Sequence, residues 1–302
     1  MSDGRHYAFI MHGARADLPE VRHLVSWVRD KGHHVEPRVT WERGDAVRLA
    51  REAAECGVDA VVALGGDGTV NEVVNGLSGH ETPLGIIPLG TANDFARQAG
   101  IPLDADHAMD IILRRNPVRI DTGEMNGRRY LNASVGGVGA ETTAETPAES
   151  KESLGLLAYA ITGVRKLAGL APKAMHFRGP GVELDAECLV FAVGNSRVTG
   201  GGTQITPNAS VVDGLLDVCI VEAMGRPEFV ALALRVRKGE HVGEAGVHYF
   251  QLPSLTITAE EPVTVNVDGE PAEEKYLEYR VRRADLLVHV GHLPGADGLD
   301  GE

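Results

Sequence analysis

No apolar run of eighteen or more residues occurs anywhere in this sequence, so a membrane-spanning helix is not expected. The N-terminus, MSDGRHYAFIMHG, has no charged segment leading into a long apolar one, so no secretion signal is expected either, and the expected location is the cytoplasm. Cysteine is scarce. Cys56, Cys188 and Cys219 are odd in number, widely spaced and set among apolar residues, which predicts reduced core thiols rather than a disulfide framework or a zinc site. HExxH, CxxC and GxSxG are all missing, so zinc hydrolysis and a serine nucleophile elbow have no support. Positive charge is short as well: 29 Lys and Arg against 43 Asp and Glu leave a formal net charge of −14. Broad nucleic-acid binding needs a basic surface, so no nucleic-acid partner is expected. For a membrane surface only local clusters remain, Arg165, Lys166 and Lys173 or Arg235, Arg237 and Lys238, and each also reads as the solvated face of a helix.

What is present suits a globular protein. The 302 residues are 43% hydrophobic, enough to fill one large core or two. Up to about residue 118, strand and helix signals alternate: HYAFIMHG, HHVEPRVTW, VDAVVAL and PLGIIPLG read as strands, with LPEVRHLVSWVRDKG, GDAVRLAREAAECG, TVNEVVNGLSG and TANDFARQAG as helices. Nearly all-apolar strands in βαβα order predict a doubly wound parallel sheet covered on both faces. Beyond residue 118 short alternating runs with turn dipeptides take over, as in VRIDTGEMNGRRYLNASVG and SLTITAEEPVTVNVDGEP, and predict an antiparallel β-sandwich. Two helical stretches interrupt it, ESLGLLAYAITGVRKLAG, with Leu154, Leu157, Ile161, Val164 and Leu167 on one face, and RPEFVALALRVRKGEH. The expected domains are 1–118 and 119–302. The tail GADGLDGE lacks the spacing of a calcium loop.

The segment Gly65, Gly66, Asp67, Gly68, Thr69, Val70, Asn71 breaks an apolar strand and opens a helix. Main-chain N–H groups and the helix dipole make such a turn an anion site. The Walker A lysine is missing, and Asn71 stands where a GxGxxG fingerprint has its last glycine. A plain strand-to-helix turn with Thr69 as N-cap is the competing reading. Asp67 favours the ligand: a carboxylate beside phosphates is repulsive unless a divalent cation or ordered water lies between, which points to a Mg²⁺-nucleotide. A second loop, Gly90 to Asp94, also follows an apolar strand. Capping explains at least one of Thr91, Asn93 and Asp94, while Gly90 allows close main-chain approach to a ligand in the same nucleotide site. VGNSRVTGGG reads as a glycine strip that closes over substrate or as a bulged sheet edge. On spacing alone Glu270 is a surface acid after a hairpin turn and Asp213 an Asp-Gly hairpin residue.

GGDGTVNEVVNGL, followed by LGIIPLGTANDFAR, resembles the catalytic domain of diacylglycerol kinases and their sphingosine and ceramide kinase relatives. GGDGT alone is shared with phosphofructokinases and NAD kinases; PLGTANDFAR separates the lipid branch. The likeness continues through RVTWERGDA, ETTAETPAESKESLG, GGGTQITPNASVVDGLLDV and VNVDGEP and is closest to bacterial YegS-type lipid kinases.

This resemblance implies an N-terminal phosphofructokinase-like α/β domain that binds ATP and a C-terminal β-sandwich, with ATP and acceptor meeting in the cleft between them. It implies that Gly65 to Asn71 cradle the ATP phosphates, with Thr40 and Thr91 as further nucleotide contacts. Asp213, with the carbonyls of Ser210 and Leu215, matches a structural Mg²⁺ site, with Ca²⁺ or Mn²⁺ as alternatives. Glu270 matches the general base, and Asp67 is grouped with it as catalytic. The implied activity is transfer of the γ-phosphoryl group to a hydroxyl of a glycerolipid, of the diacylglycerol or phosphatidylglycerol class, with transient peripheral contact at the inner face of the membrane. A kinase of a soluble acceptor, such as NAD or a sugar phosphate, and a non-catalytic nucleotide- or lipid-binding module are the alternatives. Monomer and homodimer both stay open.

Overall fold

The computed structural model of the chain describes residues 4–137 and 171–293. They fall into two compact units, Met1–Asp121 with Arg283–Glu302, and Thr122–Arg282. The expected helix from 152 to 169, with Arg165 and Lys166, and the acidic tail lie outside the described residues.

In the first unit β1 (His6–His12), β2 (His34–Thr40), β3 (Ala60–Gly65) and β4 (Leu84–Pro88) form a parallel sheet in the order β4-β3-β1-β2. All six residues of β3 and all five of β4 are buried, as a sheet covered on both faces requires. Helices α1 (Pro19–Asp30), α2 (Asp45–Glu55), α3 (Asp67–Gly76), α4 (Asp94–Gln98) and α5 (Ala105–Arg114) connect or follow the strands. Val21, Leu24 and Val28 give α1 its inward stripe, and Ala46, Ala50 and Ala53 do the same for α2. Right-handed crossovers place α1 on one face and α2 and α3 on the other, so the strand order reverses beside β1. Such a reversal opens a crevice at the carboxyl ends of the strands. The predicted doubly wound pattern is present. Helix α3 begins at Asp67, two residues earlier than the motif predicts, and α5 is an addition to the predicted elements.

The second unit is antiparallel. Its strands are β5 (Val118–Met125), which enters from the first unit, β6 (Arg128–Tyr130), β7 (Ala133–Gly137), β8 (Lys173–Gly179), β9 (Val182–Gly194), β10 (Leu216–Glu222), β11 (Val247–Leu252), β12 (Ser254–Val267) and β13 (Glu270–Val288). Strands β9 and β12 are long and change partners along their length. Val182–Cys188 of β9 pairs with β8 and Val190–Gly194 with β7, while β12 pairs first with β8 and then, after a register break between Thr258 and Val263, with β7. Strands that switch partners in this way wrap a sandwich around its core. That core holds Tyr130, Phe177, Phe191, Leu277 and Tyr279, and bears out the predicted sandwich. A second cluster is covered by α6 (Arg226–Val236), whose Phe229, Leu232 and Val236 pack on Leu189, Ala192 and Cys219. Arg235 of the basic cluster at its end is paired with Glu244. Cys188 and Cys219 are buried as predicted, but Cys56 is exposed at the end of α2.

The sequence predicts one boundary, at 118/119; the chain instead divides at Asp121/Thr122 and returns to the first unit at Arg283. The cause is a distant pairing: Val288 lies parallel to Leu84, His289 N–H donates to the Leu84 carbonyl, and the N–H groups of Gly291 and His292 donate to Ala99. His289 is buried, with Nδ1–H donating to the Arg115 carbonyl at 3.0 Å. Burial lowers its pKa to about 4. Because the unfolded chain takes up a proton here that the folded chain refuses, stability is full above the ordinary histidine range and falls as pH drops from 6.5 towards about 4. The loss is on the order of 3 kcal/mol, and urea unfolding at about pH 4.5 and about pH 7 should show it in the parent and not in His289→Asn.

Candidate functional site

The end of β3 and the start of α3 are built around close main-chain contact. Gly66 occupies the N-cap position in extended backbone and, having no side chain, makes no side-chain cap for the helix; a helix start of this kind offers main-chain N–H groups to an anion. Asp67 is the first helical residue, where a carboxylate is favoured by the helix dipole. Thr69 sits inside the first turn and is not the N-cap, which corrects the plain-turn reading. The Val70 N–H donates to the Gly66 carbonyl at 3.1 Å, and Val70 and Asn71 are buried beneath the turn.

The second loop lies directly on the first. Leu89 N–H donates to the Gly65 carbonyl at 2.9 Å, and a β-carbon on Gly90 would stand 2.4 Å from the Gly66 α-carbon. Gly90 is therefore demanded by its neighbour Gly66 before any ligand is considered. Asn93 adopts the left-handed conformation (φ 50°) and clamps this glycine from both sides: its Oδ1 accepts from Gly90 N–H at 3.0 Å and its Nδ2 donates to the Gly90 carbonyl at 2.7 Å. It occupies the N-cap position of α4 without making a side-chain cap, so capping does not account for Asn93. Thr91 follows Gly90 and is exposed. Arg15 donates to the Leu89 carbonyl and ties the turn after β1 to the same place.

A cavity of about 150 Å³ opens at the carboxyl ends of β1 and β2 and the first turns of α3, lined by His12, Thr40, Trp41, Glu42, Arg43, Ala46, Thr69 and Glu72. It brings together two of the nucleotide contacts implied by resemblance, Thr40 and Thr69. Two carboxylates stiffen its outer wall. Asp45 Oδ2 accepts from Trp41 N–H (2.9 Å) and Glu42 N–H (3.2 Å), and these amides with Arg48 hold its carboxyl at about 2. Glu72 reaches from α3 to accept from Gly44 and Ala46 N–H. Sequence reading missed this bracing, because Glu72 and Gly44 belong to different motifs.

In the second unit Glu270 opens β13 immediately after a two-residue turn, Asp268-Gly269, with Val267 paired to Glu270 and both turn residues at positive φ (47° and 92°). Asp268 does more than turn the chain. It is 7% exposed, and its carboxylate accepts from the main-chain N–H groups of Leu131 (2.7 Å), Asn132 (3.1 Å) and Ala133 (3.0 Å). Asn132 in turn accepts from Asn195 and Ser196 N–H, and Thr206 donates to the Ser196 carbonyl. The Glu270 side chain is 18% exposed and ion-paired with Arg128, so it is a held carboxylate rather than a loose surface acid. VGNSRVTGGG leaves β9 into this network and ends in a small closed loop with Thr199 and Thr203 bonded to each other.

Ser210, Asp213 and Leu215 lie on the loop before β10. Among the described residues no group of three or more His, Cys, Asp and Glu could hold a metal, so a cation here would rest on one carboxylate and main-chain oxygens. Asp213 is exposed, and its Oδ1 accepts from Leu215 N–H at 3.0 Å. Nearby Asp217 is buried, which raises its pKa to about 6 against hydrogen bonds from Tyr249 and Gln251, and the Asp213 charge adds to the rise. An all-oxygen set with surplus negative charge fits a hard divalent cation that keeps most of its water.

Known proteins are similar to this chain along nearly its whole length. The diacylglycerol kinase catalytic domain matches residues 7–125, and the YegS C-terminal NAD kinase beta sandwich-like domain matches residues 133–290. A Chromohalobacter salexigens protein named "Probable lipid kinase YegS-like" is 41% identical over 87% of this chain and 86% of its own. A Pseudomonas putida protein of the same name is 39% identical over 95% and 96%. A crystal structure titled as a "putative diacylglycerol kinase" from Bacillus anthracis superposes with a TM-score of 0.80 at 25% identity, covering 96% of this chain and 97% of that one. The chain belongs to the diacylglycerol kinase catalytic-domain family, in its YegS-like branch.

Proposed function

We propose that this chain is an ATP-dependent lipid kinase that moves the γ-phosphoryl group of ATP onto a hydroxyl of a glycerolipid, of the diacylglycerol or phosphatidylglycerol class. The observation that carries the donor half is the uncapped first turn of α3, braced by the Gly66–Gly90 contact and opening beside a cavity that Thr40 and Thr69 line. Within the Gly65–Asn71 segment the amides at the very start of the turn bind the phosphates, with Thr91 beside them; the Val70 N–H is already given to the Gly66 carbonyl and takes no part. Preorganised N–H groups stabilise charge that develops on the transferring oxygens without having to reorient. In the second unit Glu270 accepts the proton of the acceptor hydroxyl as the new O–P bond forms and the β–γ bridge breaks; ADP leaves with that bond's electrons. Arg128 and the Asp268 turn hold the carboxylate in one orientation. Membership of a kinase family implies a divalent cation; Asp213 with the Ser210 and Leu215 carbonyls would hold one in the second unit, and Mg²⁺ neutralises phosphate charge when bound. Asp67, in the first turn of α3, is assigned to the nucleotide's divalent cation, which would separate its carboxylate from the phosphates. The same reading has a bilayer acceptor met by transient peripheral contact; no helix among the described residues is long and apolar enough to cross a membrane.

Labelled ATP and Mg²⁺ supplied with a panel of lipid alcohols in mixed micelles should give a phosphorylated glycerolipid. Asp67→Ala should remove that product while circular dichroism and thermal unfolding stay as in the parent. Turnover of NAD or a sugar phosphate without lipid would replace the acceptor assignment. ATP binding with no product from any acceptor would make the chain a nucleotide-binding module.

A further inference from the structure

Trp41 follows Thr40 at the carboxyl end of β2 and is 79% exposed, the most exposed of the large hydrophobic residues among those described. The chain has only two tryptophans, and the other, Trp27, is half-buried in α1 beneath Lys31. An indole left in water needs a reason beyond the core, and its mounting supplies one. Its ring edge lies against Gly13, where a β-carbon would meet Cζ3 at 3.2 Å, so the bare main chain of the turn after β1 makes room for it. The main-chain N–H of Trp41 donates to Asp45, and the far end of its loop is held by Glu72, so the residue is carried on a fixed backbone and not on a loose tip. It lines the cavity that also holds Thr40 and Thr69, beside the phosphate cradle.

A stiffly mounted aromatic face beside an anion site matches a ligand with a flat heterocycle attached to phosphates. We infer that Trp41 is the stacking platform for the base of the nucleotide, with its phosphates at the first turn of α3. This deepens the function proposed above and rests on its phosphate cradle. The competing use of an exposed indole, insertion among lipid headgroups, would not require a cavity shared with Thr40 and Thr69.

The test uses the full chain with Trp27→Phe, which leaves Trp41 as the sole indole. ATP should quench its fluorescence saturably, and inorganic tripolyphosphate should displace ATP without quenching, because it has no base. Trp41→Ala should weaken ATP about tenfold, Trp41→Phe should restore most of the affinity, and tripolyphosphate should bind all three proteins within about twofold of one another. Equal losses for ATP and tripolyphosphate, or no loss for either, would overturn the stacking role and leave the cradle standing. A blue shift with phosphatidylglycerol vesicles while ATP leaves the emission unchanged would overturn it in favour of the bilayer. If neither ATP nor tripolyphosphate binds the Trp27→Phe protein, the cradle fails and the platform with it.

Discussion

Glu270→Gln is expected to give a folded protein that binds ATP like the parent but turns over about 10²- to 10⁴-fold more slowly. Glutamine keeps the shape and can still accept a hydrogen bond from Arg128, so the hairpin and the Asp268 anchor should survive. What it loses is an oxygen able to take a proton at neutral pH. The effect should therefore appear in kcat with little change in the KM for ATP, because the donor contacts lie in the other unit. A kcat within about threefold of the parent would remove Glu270 from the role of base. Arg128→Lys makes a useful companion. A lysine keeps the charge but not the planar fork, so a smaller fall in kcat would mark Arg128 as the group that orients the base.

Gly90→Ala should act on the donor half. The added methyl would stand 2.4 Å from the Gly66 α-carbon and 2.8 Å from Asn93 Oδ1, both fixed points of the two loops. Neither is the far end of a flexible side chain, so the loops must separate by about an ångström. Overpacking of this kind costs about 1–3 kcal/mol of stability. Moving the amide cradle by that distance costs more in function, and kcat/KM for ATP should fall about 10²-fold. Thermal unfolding of the variant with and without ATP separates the two effects, since the cradle defect also removes nucleotide stabilisation. Unchanged kcat/KM would mean that this loop contact does not set the geometry of phosphate binding.

The parallel sheet was legible because strands covered on both faces leave continuous apolar runs, as in β3 and β4, and because glycines mark where they stop. Helix α5 could have been found: Asp104 accepts from His107 N–H as its cap, a local signal that sequence reading passed over. Strand β11 was harder, because five of its six residues are only partly buried or exposed and its apolar pattern is weak. The GGDGT turn announced an anion site, but the bracing of that site was not visible, since Asp45, Glu72 and Asn93 each look like ordinary polar residues of a helix start or a surface. Resemblance alone points to Glu270. Its partner Arg128 and the three amides that hold Asp268 come from a hairpin far upstream, and no spacing rule connects them.

The late return of the chain at Arg283 bears on how the protein is made. As it leaves the ribosome, the stretch Thr122–Arg282 is complete before the segment that pairs Val288 with Leu84 has been synthesised. Until then β4 offers one unpaired side, and the unit that begins first finishes last. Nascent chains halted before Arg283 should therefore recruit chaperones through that open edge, and release should follow once His289 and Gly291 can reach their carbonyls.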